Sequence, residues 1–227
     1  MSMPVADTNA LFKLAATEPR KILEKLTADP SIANIKDEDE RLLIHHACLA
    51  KNDELVDALI QANKNVDAQD DQGYTALLIC VLTGYMGGVQ RLVSAGADVN
   101  LAASSGVTPL HSSVSKGHIE ILEYLLKHDA SVYATDRYRQ TPLFRAASTG
   151  SALGVKLLLN HDAKVNATDS TNSTPLHFAI ENQHGDIAVM LLRHGADPEI
   201  VNQDGKKAER MTNNIKVIEY IASEGKK

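Results

Sequence analysis

The chain has 227 residues, 23 of them Lys or Arg and 29 Asp or Glu, for a formal net charge of −6. That acidic balance argues against a nucleic-acid binder that works by neutralising phosphates. Aromatics at 4%, with no Trp, leave packing to small and aliphatic side chains. Two cysteines, Cys48 and Cys80, cannot build a disulfide framework and fit a reducing compartment. The opening Met-Ser-Met-Pro-Val-Ala-Asp lacks the basic start and apolar stretch of a signal peptide. The most apolar run, residues 76–82, is far short of the roughly 20 that span a bilayer. These features predict a soluble intracellular protein with no membrane partner.

One period organises the chain. Thr75, Thr108, Thr141 and Thr174 lie 33 residues apart, and the same step reaches Leu42 and Asn9 backwards and Lys207 forwards. Seven copies result, at about 4–36, 37–69, 70–102, 103–135, 136–168, 169–201 and 202–227, and are read as a single domain with no room for a catalytic one. The first is degraded, with Lys13 at an apolar position, and the second starts Leu42-Leu43-Ile44-His45 without Thr-Pro. The third starts at Thr75 and has Leu78 where the second has His45; the fourth reads Thr108-Pro109-Leu110-His111. The fifth starts Thr141-Pro142 with Phe144 at the His position, and the sixth reads Thr174-Pro175-Leu176-His177. The seventh places Lys207, Glu209 and Arg210 at small or apolar positions, as polar end caps require.

Each copy reads as two short helices and a projecting turn. Thr is a good N-cap and Pro suits the first helical position. Pairs such as Leu110 with Ser113 and Leu176 with Ala179 lie one helical step apart and form an inner face. Gly84, Gly117 and Gly150, nine residues after each Thr, can take a left-handed conformation and end the first helix. Ile121, Leu122, Leu125 and Leu126 make the buried stripe of a second helix. The closing positions Asn63, Gly96, Asp129, Asp162 and Gly195 tolerate positive φ. Such a unit buries its apolar faces only against its neighbours. Gly88 and Gly154 stand inside second helices, where Gly costs about 1 kcal/mol relative to Ala, so the outer helices of repeats three and five are expected to be softer.

The nine histidines show no metal-ligand spacing, and His45, His111 and His177 recur at one position of the helix start. Cys48 and Cys80 fall at small core positions rather than beside a base. No Gly-rich phosphate loop precedes a helix. The expectation is a binder without catalytic residues, metal or cofactor.

The Thr-Pro-Leu-His start, the Gly96-Ala97-Asp98-Val99-Asn100 ending and the 33-residue period resemble ankyrin repeats over essentially the whole chain. The resemblance implies an all-α solenoid of seven stacked helix–turn–helix repeats. Its concave side would be built from the turns and the exposed flank of each first helix, and the recurring His would be a structural hydrogen-bonding residue. On that register the turns contribute Asp39, Arg41, Asp71, Tyr74, Arg137, Tyr138 and Arg139. The helix flanks contribute His46, Ile79, Leu82, Ser115, Lys116, Arg145 and Phe178. Charge is acidic in the early turns and basic in the middle, with apolar groups interleaved, a pattern suited to a folded protein partner.

A narrower resemblance is to the gankyrin-like ankyrin proteins and their fungal counterparts. It rests on Asp37-Glu38-Asp39-Glu40-Arg41 before Leu42-Leu43-Ile44-His45-His46-Ala47-Cys48, on Asp70-Asp71-Gln72-Gly73-Tyr74, on Ser115-Lys116, and on Pro142-Leu143-Phe144-Arg145-Ala146-Ala147-Ser148. It implies a monomeric, cytoplasmic and nuclear assembly chaperone that holds the C-terminal domain of one ATPase subunit of the proteasome regulatory particle. Arg41 and Lys116 would pair with carboxylates on that domain, and Asp39 and Asp71 with its basic residues. The Leu-x-Cys-x-Glu segment that binds retinoblastoma protein in the mammalian members is replaced by Phe178-Ala179-Ile180-Glu181-Asn182, so that binding is not expected. The alternatives are an ankyrin inhibitor of a signalling enzyme, such as a cyclin-dependent kinase, and a generic scaffold; seven repeats without a fused domain favour the chaperone.

Overall fold

The computed structural model describes residues 5–63, 65–208, 219 and 223. Glu209 and Arg210, and most of the expected C-terminal cap, lie outside the described residues. Among those described there are twelve α-helices and no strand beyond two isolated bridges, Gln69 with Thr75 and Val201 with Lys207. The helices are α1 (Val5–Thr17), α2 (Pro19–Ala28), α3 (Leu43–Leu49), α4 (Asp53–Ala62), α5 (Ala76–Thr83), α6 (Met86–Ser94), α7 (Pro109–Ser115), α8 (Ile119–Lys127), α9 (Pro142–Thr149), α10 (Ala152–Asn160), α11 (Pro175–Glu181) and α12 (Gly185–Arg193), with a 3₁₀ turn at Pro30–Asn34. The chain divides into two compact units, Met1–Ser112 and Ser113–Lys227.

Helix starts follow the period. Thr75 Oγ1 accepts from the Leu78 N–H at 3.1 Å, an N-cap. At Thr174 the first helical turn is closed by His177, whose Nδ1 receives the Thr174 N–H at 3.1 Å and lies 2.9 Å from the Thr174 hydroxyl. Thr108 and His111 repeat the arrangement, with 2.8 Å between hydroxyl and Nδ1. His45 does the same for Leu42, accepting its N–H at 3.0 Å, so Thr is dispensable there. Where Leu78 and Phe144 replace the His, the position is filled by a fully buried apolar group.

Helix ends follow it as well. Gly84, Gly117 and Gly150 are left-handed, at φ of 67°, 70° and 75°, and Lys51 and Gln183 take the same conformation without glycine. The closing positions Gly96, Asp129, Asp162 and Gly195 also have positive φ. Asn63 differs: its φ is −118°, because its buried side chain instead accepts from the Asn65 N–H and closes the turn.

Within each unit, first helices pack on first helices, α3 on α5 and α9 on α11, and second helices line up behind them as α4 with α6 and α10 with α12. The core is mainly aliphatic: Leu43, Leu55, Leu59, Leu77 and Leu92 in the first unit, Leu122, Leu125, Leu143 and Leu158, with the Phe144 ring, in the second. Successive turns are joined by single backbone bonds with constant spacing. The Asp71 and Ser104 amides donate to the Asp39 and Gln72 carbonyls at 3.0 Å in the first unit. In the second, those of Ser170 and Gln203 donate to Tyr138 and Thr171 at 2.8 Å.

The glycine at position 88 has a structural reason. A Cβ there would stand 2.4 Å from two carbons of the Tyr85 ring and 2.5 Å from Cys80 Sγ. Tyr85 is buried and donates its hydroxyl to Asp53, so its ring fills the volume that a branched side chain at position 88 would take. The glycine makes room for the ring. Arg91 then ties the two outer helices, reaching Asp53 at 2.9 Å and Asp57 at 3.0 Å.

Candidate protein-binding face

Four turns begin with an Asp that folds inward, Asp37, Asp70, Asp136 and Asp169; Ala103 and Asn202 stand at that register in repeats four and seven. In repeat three, Asp70 Oδ1 accepts from the N–H groups of Gln72 (3.0 Å) and Tyr74 (2.7 Å). In repeat five, Asp136 Oδ1 accepts from Tyr138 and Gln140, and in repeat six Asp169 Oδ1 accepts from Thr171 and Ser173. By register these acids stand in the projecting turns, next to the exposed Asp71, Arg137 and Ser170. The structure buries them as turn caps, because a carboxylate that satisfies two orphan amides gains more than one facing water.

The second oxygen of each inward Asp recruits a side chain on the outer surface. Arg41 Nε donates to Asp70 Oδ2 at 3.0 Å, and its Nη1 reaches Asp39 at 3.3 Å. Burial works against the Arg41 charge, but the hydrogen bond to Asp70 and the field of Asp70, Asp39 and Asp37 outweigh it, raising its pKa. Gln140, three periods after Arg41, donates to Asp169 at 3.2 Å. Arg145 pairs with Asp136 at 2.5 Å, and His46 with Asp37 at 2.7 Å, nine residues apart in both cases. Burial opposes the charge of Asp37, yet hydrogen bonds from His46 and the Arg41 and Asp39 amides, with the attraction of His46, hold its carboxyl below the usual range.

The other predicted residues divide clearly. In the first unit Asp39 and Asp71 are exposed, while Tyr74 and Leu82 are half-buried. Ile79 is a correction: at 5% exposure it belongs to the packed interior, since α5 is covered on nearly all sides. His46 is half-buried, its ring 4.8 Å from that of Phe12 and tilted by 32°, as well as paired with Asp37. In the second unit Ser115, Lys116, Arg137, Tyr138 and Arg139 are all exposed, Tyr138 at 55%. Phe178 is half-buried and meets Phe144 edge to face at 5.5 Å. Lys116, Arg137 and Arg139 have no carboxylate within ion-pair distance among the described residues, so their charge is available to a partner.

His45 and His177 are structural, as the resemblance to ankyrin repeats implies. His45 Nε2 lies 3.1 Å from the Ala68 carbonyl and 3.2 Å from that of Tyr74; His177 Nε2 lies 3.2 Å from that of Lys206. With Nδ1 accepting and Nε2 donating, each ring is neutral, and burial lowers both pKa values against the pull of those carbonyls. No cluster of metal-ligating side chains exists among the described residues. Cys48 and Cys80 are both buried, and burial beside Cys48 pushes the Cys80 thiol far above its ordinary range.

Tyr133 and Leu153 are the most exposed of the large apolar groups outside the predicted set. Tyr133, with Lys164 above its ring at 5.7 Å, stands where Asn100 and Asn166 stand in neighbouring repeats. Leu153, on the first turn of α10, is 61% exposed.

No helix among the described residues is long and apolar enough to cross a membrane. Family models described as ankyrin repeats match residues 11–103 and 134–202, and a second one matches 92–146. The structure resembles the human ASB11 ankyrin repeat domain, with 26% identity and a TM-score of 0.80 over 94% of this chain and 96% of that one. It also resembles the ankyrin repeat domain of Bcl-3, a member of the IkappaB family, with 23% identity and a TM-score of 0.81 over 97% and 98%. No curated protein matches the chain. With a repeat model covering most of its length and this architecture, the chain belongs to the ankyrin-repeat family, whose stacked repeats form protein-binding modules.

Proposed function

We propose that the chain is a gankyrin-like assembly chaperone that holds the C-terminal domain of one proteasomal ATPase subunit on its turns and first helices. The observation that supports this reading is the sorting of exposed charge. The first unit offers Asp39 and Asp71, while the second offers Lys116, Arg137 and Arg139, with Tyr138 exposed between the two arginines. A partner with basic residues for the first set and acids for the second would be drawn in quickly and held in one orientation. Arg41 would meet the partner already oriented by Asp70. Cytoplasmic and nuclear localisation, a monomeric state and the absence of retinoblastoma-type binding belong to the same reading.

The test is calorimetry of the chain against each of the six isolated ATPase C-terminal domains at two salt concentrations. One-to-one binding to a single domain, weakened by salt and by Lys116→Glu, is the expected result. Lys116 has no ion pair, so its reversal leaves the far-UV circular dichroism unchanged. Arg41→Glu is a poorer probe, because it would set a carboxylate against the buried Asp70. Failure with all six domains would refute the chaperone reading and leave an ankyrin inhibitor or scaffold.

A further inference from the structure

Position two of the second helix is acidic in three repeats, Glu54 in α4, Glu120 in α8 and Asp186 in α12. An acid there is favoured by the positive end of the helix dipole. In α10 the same position holds Leu153, and the first turn contains no acid. The substitution forgoes the electrostatic gain and exposes a large apolar side chain, the most exposed among the described residues. Within-fold reasons do not account for it, since Leu153 does not enter the core.

Beside Leu153 lies an open groove of about 480 Å³ whose apolar lining includes Val114, Ile119 and Ala152. Its rim carries Ser115 and Lys116, and no carboxylate lines it. Lys116 is the one cation at its register; Ala50, Thr83, Thr149 and Asn182 stand there in the other repeats. The N-terminus of α10, capped by the Ser151 hydroxyl but with no acid in its first turn, adds positive potential on the same side. An apolar floor with a cationic rim is complementary to one chemistry.

We infer that this groove docks a partner-protein segment that places an aliphatic side chain against Leu153 and Ile119 and an adjacent carboxylate on Lys116. The inference rests on the protein-binding role of the repeats and not on the identity of the ATPase. It separates Lys116 from the turn residues, because the groove runs along the loops that join first to second helices, at the opposite end of each first helix from the turns.

The probe is a pair of capped tetrapeptides, acetyl-Glu-Leu-Leu-Glu-amide and its Lys counterpart, titrated to millimolar concentration into the full chain with ¹³C-labelled Ile, Leu and Val methyls. The acidic peptide is expected to shift the Val114, Ile119 and Leu153 methyls, and the basic one to leave them in place. Lys116→Gln should weaken the acidic peptide about two- to fivefold, the worth of an exposed charge pair. Leu153→Glu places at this exposed position the residue that α4 and α8 carry there, so the fold is retained, and loss of the aliphatic contact should weaken binding more than tenfold. Equal shifts by both peptides, no shift, or undiminished binding to Leu153→Glu would each overturn the inference. Acidic-peptide binding alongside failure of all six ATPase domains would leave the groove standing and remove the chaperone reading. ATPase binding with a silent groove would do the reverse.

Discussion

Gly88→Ala sets two known effects against each other. Replacing a helical Gly by Ala gains about 1 kcal/mol from backbone entropy. Against this, the new methyl would lie 2.4 Å from the Tyr85 ring and 2.5 Å from Cys80 Sγ, where ordinary contact begins near 3.4 Å. The ring cannot step aside freely, since it is buried and its hydroxyl is held by Asp53. Overpacking of this kind costs about 1–3 kcal/mol, and with an ångström to recover against a pinned ring the upper end applies. The net expectation is a loss of about 2 kcal/mol. In a Tyr85→Ser/Cys80→Ala background both obstructions are gone, and the same change should stabilise by about 1 kcal/mol. With no Trp in the chain, urea unfolding followed by circular dichroism at 222 nm is the suitable assay. A stabilising Gly88→Ala in the parent, or one sign in both backgrounds, would refute the reasoning. Gly154→Ala is the control: its Cβ would stand 2.7 Å from the Ser151 hydroxyl that caps α10. Losing that cap, about 1 kcal/mol, cancels the helical gain, so no measurable change is expected.

Two further outcomes follow from buried polar groups. Asp70→Asn keeps the oxygen that serves Gln72 and Tyr74 but sets an amide donor against Arg41 Nε, so it should cost about 1.5–3 kcal/mol; strict additivity with Arg41→Ala in a double-mutant cycle would contradict the pairing. His45 and His177 have lowered pKa values in the folded state, so their stabilisation is complete above the unfolded value of about 6.5. It is lost as pH falls from there towards their folded values, because the unfolded chain takes up the protons first. Urea midpoints should therefore drop between pH 7 and 5.5, and His45→Gln/His177→Gln should flatten that slope; an unchanged slope would exclude the two rings as its source.

The repeat was legible because it is written in backbone chemistry. Thr75, Thr108 and Thr174 mark helix starts, and Gly84, Gly117 and Gly150 mark stops, whatever surrounds them. The candidate face was legible only in part, because register says where a Cα lies and not which way its side chain turns. Asp70, Asp136 and Asp169 occupy exposed-type turn positions and rotate inward to serve their own amides. Ile79 sits on a helix flank that neighbouring elements cover, which no local pattern reveals. The space at Gly88 belongs to Tyr85, a substitution pair readable only once both are seen in contact. Leu153 did leave a trace in the sequence, as an aliphatic residue at a register that is acidic in three repeats.

The single bonds that join successive turns, Asp71 to Asp39, Ser104 to Gln72, Ser170 to Tyr138 and Gln203 to Thr171, each span the same 32 residues. Such a chain can be lengthened or shortened by gene duplication or deletion only in whole multiples of its period. Removing one residue between Asp39 and Asp71 would misalign the amide with its carbonyl and carry the error into the adjoining turn. Excising a full repeat would let the next turn inherit the vacated acceptor. Evolution of the protein's length is thereby quantised, and its surfaces can diversify at the turn tips while the joints between them stay interchangeable.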